Sequence, residues 1–121
     1  HPERSFVPAD LPKLRKLGDM GVYFQITAGS IAGKFGKQIQ GFAFKLLEEG
    51  LCHFVASDAH NQRSRAFFFT EARSTLQKKE LMPQAINLLF RENTSKVLNG
   101  EPSIKSFPRK RAEPSRRKLF P

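Results

Sequence analysis

One cysteine among 121 residues, Cys52, leaves nothing for an internal disulfide to join. A cross-linked framework is therefore excluded, and a reducing compartment suits the chain. Long apolar runs are also missing: none approaches the roughly 20 residues that a helix needs to cross a bilayer. No signal peptide opens the sequence and no internal repeat runs through it. These absences set the expectation of a soluble, cytoplasmic protein. Acidic residues are scarce, with 11 Asp and Glu against 21 Lys and Arg, a net charge of +10.

The excess is uneven. Residues 102–121, PSIKSFPRKRAEPSRRKLFP, hold seven Lys or Arg against one Glu, or +6, which leaves +4 for residues 1–101. With four prolines and little apolar periodicity, residues 102–121 are expected to be a disordered basic tail beyond one domain of residues 1–101. Such a tail is either simply solvated or a contact for nucleic acid or an anionic membrane. The hydrophobic content of 39% suits a folded core in the remainder.

The pattern DLPKLRKLGDMG predicts a short helix, with Asp10 as N-cap, Leu11, Leu14 and Leu17 on one side, and Gly21 near its stop. VYFQIT, residues 22–27, alternates Val22, Phe24 and Ile26 with polar or amphipathic neighbours and predicts a strand. A loop, AGSIAGKFGK, leads to a helix whose stripe is Ile39, Phe42, Ala43, Leu46 and Leu47. A second strand is expected near His53–Ser57. Helical segments come after it at Glu71–Lys79, from Pro83 through Ile86, Leu89 and Phe90, and in a short piece ending at Asn99–Gly100. Helical connections between strands favour parallel pairing and an α/β layered or barrel fold. Two strands alone make neither a closed barrel nor a covered sheet.

Two phosphate-binding patterns fail on inspection. In GSIAGK three residues separate Gly29 from Gly33, one too few for a nucleotide loop, and Phe35 stands where a Ser or Thr would hold magnesium. A cysteine phosphatase carries an arginine at the sixth position beyond its nucleophile. After Cys52 that position is Asp58, which repels phosphate and disfavours the thiolate. Cys52 is read as a small apolar residue, and His53 has no paired ligand near it.

Asp58 and His60 in SDAH are a better candidate. An oxygen and a nitrogen ligand just past a strand suit Zn, Mn or Fe. The same residues also suit turns, and Ser57, Asp58 and Asn61 could equally cap the next segment of the chain.

HPER (1–4), QITAGSIAGKFGK, KLLEEGL and FVASDAHNQRSR together resemble the C-terminal half of the PHP-type metal-dependent tyrosine-protein phosphatases of bacterial capsule and exopolysaccharide operons. The likeness runs in order from His1 to about Gly100. It implies an α/β fold, the C-terminal portion of a distorted (β/α) PHP-type barrel, incomplete as given. It implies metal ligands at His1, Asp58 and His60, manganese as the usual metal, and phosphate-binding arginines at Arg4 and Arg65, with Arg63 left in solvent. It further implies phosphomonoester hydrolysis by a metal-activated water, acting on the phosphotyrosine-containing tail of a bacterial tyrosine autokinase of polysaccharide export. The family's N-terminal H-x-H motif and its other ligands are absent from this sequence. An N-terminal half of the same barrel is therefore an expected partner, and this chain alone is expected to be inactive. AFFF (66–69) and Asn93-Thr94 stand where the family tends to carry proline after the arginine and in an NP pair.

Overall fold

A computed structural model describes residues 1–106. The disordered basic tail expected at 102–121 lies outside the described residues from 107 onward, and with it most of the charge behind a nucleic-acid or membrane contact. The chain opens with a helical turn, α1 (Pro2–Ser5), then a 3₁₀ turn (Pro8–Asp10) leading into α2 (Leu11–Asp19). Strand β1 (Gln25–Thr27) is followed by α3 (Ala28–Ile31), α4 (Lys37–Glu48) and strand β2 (Phe54–Ala56). Helices α5 (Phe69–Lys78), α6 (Pro83–Asn87) and α7 (Asn93–Leu98) complete it, α6 passing into α7 through a π-helical turn, Leu88–Glu92.

The strands pair in parallel, Gln25 with Phe54, Ile26 with Val55 and Thr27 with Ala56. Parallel neighbours need a long crossover, which α3 and α4 provide. Most of the stripe residues read from the sequence become buried, Leu17 and Ile39 remaining half-buried. Leu11 and Leu14 of α2, Phe42, Ala43, Leu46 and Leu47 of α4, and Ala72 and Leu76 of α5 enclose Ile26 and Val55. Fully burying one such leucine stabilises the fold by about 1.5–3 kcal/mol.

Several boundaries differ from expectation for identifiable reasons. The first strand is half its expected length because the Phe24 N–H donates to the His53 ring at 2.9 Å instead of to a neighbouring strand, and Val22 and Tyr23 remain exposed. The expected loop after β1 begins with a helical turn, α3, whose four residues are all buried. Asp10 does not cap α2 through its side chain. Its carboxylate turns back to accept the Val7 N–H at 2.9 Å. The two expected C-terminal helices run together through the π turn. Within that stretch Asn93 is fully buried, and its amide donates to the carbonyls of His53 (2.8 Å) and Lys105 (2.7 Å). Residues near 105 are thereby fastened to the start of β2.

Arg15 of α2 and Glu49 after α4 form a two-pronged pair, 2.8 Å on each prong, with Lys45 at 3.2 Å. The arginine's hydrogen bonds hold the Glu49 carboxyl down to about 2.

His53 yields a pH prediction. Its Nδ1 must accept, because the Phe24 amide is a donor, so the buried ring is neutral with its proton on Nε2. Burial lowers its pKa. The unfolded chain therefore binds this proton first on acidification, and the associated stability is whole above about pH 6.5 and declines as pH falls below it. Urea melts of wild type should weaken on this limb. His53→Gln, which keeps an acceptor but does not titrate, should flatten it, and an equal slope in both would contradict the assignment.

Candidate active site

Both strands end at one level, at Thr27 and Ala56, so the segments that leave them start side by side. Ligand sites in parallel α/β sheets gather at this edge. Helix α1 is held there by Glu3, a residue to which the sequence pattern assigned no role. Its side chain is 2% exposed, and its Oε1 accepts the Thr27 N–H (3.0 Å) and the Ser30 hydroxyl (2.7 Å). A carboxylate withdrawn from water needs such donors. They clamp α1 across the end of β1 and onto α3. No sequence pattern marks an acid as buried, so this signal was not available in advance.

The clamp carries Arg4 toward the loop after β2. There Asp58 adopts a left-handed backbone, φ 47°, which aspartate tolerates better than most residues. Its Oδ2 accepts a hydrogen bond from Arg65 Nη2 at 3.0 Å and lies 3.6 Å from Arg4 Nη1. Arg4 and Arg65, separated by sixty-one positions in sequence, thus share one carboxylate. Arg4 also stacks on Phe35, 4.4 Å from the ring centre.

The loop is stitched by its own side chains. Asn61 Oδ1 accepts the N–H of Arg63 (2.8 Å) and of Arg65 (3.1 Å), and the Arg65 carbonyl accepts the His60 N–H at 2.8 Å. Ser57 Oγ accepts the Ala59 N–H at 3.3 Å. The turn-forming reading is therefore right for Ser57 and Asn61, while the Asp58 carboxylate serves the arginines. Arg63 is exposed, as expected. Burial pushes the Cys52 thiol pKa strongly up, which removes it as a nucleophile.

Two arginines against one carboxylate leave a positive surplus. Arg4 Nη1 and Arg65 Nε are buried without a hydrogen-bond partner, and a donor left so costs about 1–3 kcal/mol. An anion with several oxygens, such as phosphate, suits these donors in bonding and charge. A cavity of about 440 Å³ elsewhere, between α4 and α5, is lined by Phe44, Leu47 and Leu76 and holds none of these residues.

The family model described as capsular polysaccharide synthesis, CpsB/CapC, matches residues 1–99. The chain belongs to this family. It is 39% identical to the tyrosine-protein phosphatase YwqE of Bacillus subtilis over 121 residues, covering 99% of this chain and 46% of the relative. It is 33% identical to the putative tyrosine-protein phosphatase CapC of Staphylococcus aureus, covering 89% and 42%. A solved structure from work on YwqE and on CpsB of Streptococcus pneumoniae, described as unique metal-dependent tyrosine phosphatases, superposes with a TM-score of 0.76 at 38% identity, covering 90% of this chain and 44% of that one. The chain spans just under half the length of these relatives.

Metal dependence in YwqE and in CpsB of Streptococcus pneumoniae directs attention to the donors of this chain. His60 Nδ1 lies 2.6 Å from the Asp58 carbonyl, which can only accept, so Nδ1 carries a proton and Nε2 is the nitrogen left to face a ligand. That is the arrangement of a metal-ligating imidazole. His60 is exposed, and Asp58 lies beside it. His1 is apart from them in bonding: its Nδ1 pairs with Ser5 Oγ within α1, at 3.2 Å. Among the described residues no three His, Cys, Asp or Glu side chains are grouped so as to hold a metal ion. The donor types fit a borderline divalent ion, while the described residues supply only part of a coordination sphere.

Two substitutions in this CpsB/CapC chain have definite expected outcomes. Glu3→Ala leaves the Thr27 N–H and the Ser30 hydroxyl buried without an acceptor and should destabilise the fold by about 2–5 kcal/mol in denaturant melts. A change within about 0.5 kcal/mol would contradict the clamp. Asp58→Asn releases both guanidinium groups and should tighten metal-free binding of inorganic phosphate several-fold by NMR titration. Weaker binding would contradict the competition of carboxylate and phosphate for the arginines.

Proposed function

We propose that this chain carries part of the active site of a metal-dependent protein-tyrosine phosphatase of capsule or exopolysaccharide synthesis. The observation that supports it most is the pair Arg4 and Arg65, brought to one carboxylate at the strand ends with buried nitrogens, Arg4 Nη1 and Arg65 Nε, that make no hydrogen bond. Asp58, His60 and His1 are the residues that would hold metal, with manganese the expected ion. When bound, such an ion supplies Lewis acidity toward phosphoryl oxygen and lowers the pKa of water toward neutrality.

The chain's own residues do the rest of the positioning. Arg4 and Arg65 bind phosphoryl oxygens through paired N–H groups and offset the charge that grows on them during displacement. Phe35 fixes the plane of the Arg4 guanidinium, and Glu3 fixes α1. His60 is oriented by the Asp58 carbonyl through Nδ1. No nucleophilic side chain is needed, which accords with Cys52 being buried and protonated.

The substrate is the phosphorylated tyrosine-rich tail of a bacterial tyrosine autokinase, and the site works in the cytoplasm. The fold is the C-terminal portion of a PHP-type barrel, completed by a segment corresponding to the first half of the longer relatives. Residues 1–121 alone therefore have little or no activity. Co-expression with the first half of a relative should produce manganese-dependent release of phosphate from a phosphotyrosine peptide. Asp58→Ala or His60→Ala should lower that turnover by roughly 100-fold or more, on the scale of removing an electrostatic catalytic group. Strong activity of residues 1–121 by themselves would overturn the account of the missing half. Turnover indifferent to both substitutions would overturn the site.

A further inference from the structure

Beside the arginine pair lies an aromatic strip that phosphate binding leaves unused. Arg4 stacks on Phe35 at 4.4 Å. Phe35 and Phe68 both lie against Gly29, so closely that a β-carbon there would lie 2.9 Å from one ring and 3.2 Å from the other. The Lys34 ammonium lies 5.2 Å from the centre of the Phe68 ring. Guanidinium, two rings and an ammonium are thus gathered around Gly29.

Phe68 is held at some cost. It sits in the left-handed region, φ 52° and ψ 17°, at the start of α5, without any side-chain capping bond. A bulky aromatic residue rarely occupies that region, where glycine or asparagine is favoured. The lack of a side chain at Gly29 leaves room for this ring beside Phe35, and Phe68 follows Arg65 by three positions.

We infer that Phe68 is a specificity-determining residue, the wall against which the phenyl ring of a phosphorylated tyrosine packs when Arg4 and Arg65 hold its phosphate. The inference rests on the phosphate-binding reading of those arginines. Aromatic pairs are attracted edge-to-face or offset beyond their area of contact, which an alkyl substituent does not reproduce. Phe68 therefore discriminates aryl from alkyl phosphomonoesters, and Lys34 lends the same wall a positive charge.

The test is an NMR titration of residues 1–121 with inorganic phosphate, phenyl phosphate and ethyl phosphate. Phenyl phosphate should bind roughly 3- to 10-fold tighter than ethyl phosphate, the size of an aromatic pair contribution. Phe68→Leu should bring that ratio close to one, and Phe68→Tyr should restore it. In wild type, protons of the bound phenyl ring should show nuclear Overhauser contacts to the Phe68 ring, a readout independent of whether the leucine variant folds. Inorganic phosphate binding without any aryl preference, or a preference that persists in Phe68→Leu, or absent ring contacts, would overturn the role of Phe68 alone. Failure to bind any of the three at millimolar concentration would overturn the arginine reading and this inference with it.

Discussion

The site depends on one buried carboxylate. Glu3 takes hydrogen bonds from the end of β1 and from α3, and these anchor α1, since a helical turn of four residues cannot hold itself. Arg4 follows Glu3 directly. Clamping one residue therefore places the next, and Arg4 arrives beside Asp58 because its neighbour is pinned 24 positions along the chain. The arrangement converts a backbone hydrogen bond at a strand end into the position of a cation.

Charge is handled differently in two parts of the molecule. Arg15, Lys45 and Glu49 form a pair and its supporting cation, with acceptor oxygens met by donors from both sides. Around Asp58 the balance is left open, two guanidinium groups to one carboxylate, with Arg4 Nη1 and Arg65 Nε making no hydrogen bond. The first arrangement joins α2 to the end of α4. The second retains an electrostatic demand, and such residual demand is common where a ligand completes the bonding.

Membership of the CpsB/CapC family and a length of just under half that of the relatives belong together with the small sheet. Among the described residues two parallel strands are covered by helices that bury a continuous core, yet the donors suited to a metal remain too few in one place. The arginines and the D-x-H loop both lie at the ends of the two described strands.

The helices were legible in the residues because their apolar spacing repeats locally: Phe42, Ala43, Leu46 and Leu47 bury the face that their spacing announces. The D-x-H pair was legible as chemistry, although residue types alone favoured a turn over a ligand. Strand ends, the α3 turn and the merging of α6 with α7 were not, because they depend on partners distant in sequence, such as the His53 ring taking the Phe24 amide. Only the tertiary structure decided that Glu3 is buried, that Arg4 and Arg65 share Asp58, and that Phe35 and Phe68 both lie against Gly29. Burial and charge pairing depend on which surfaces face each other after folding, whereas periodicity is written into neighbouring residues.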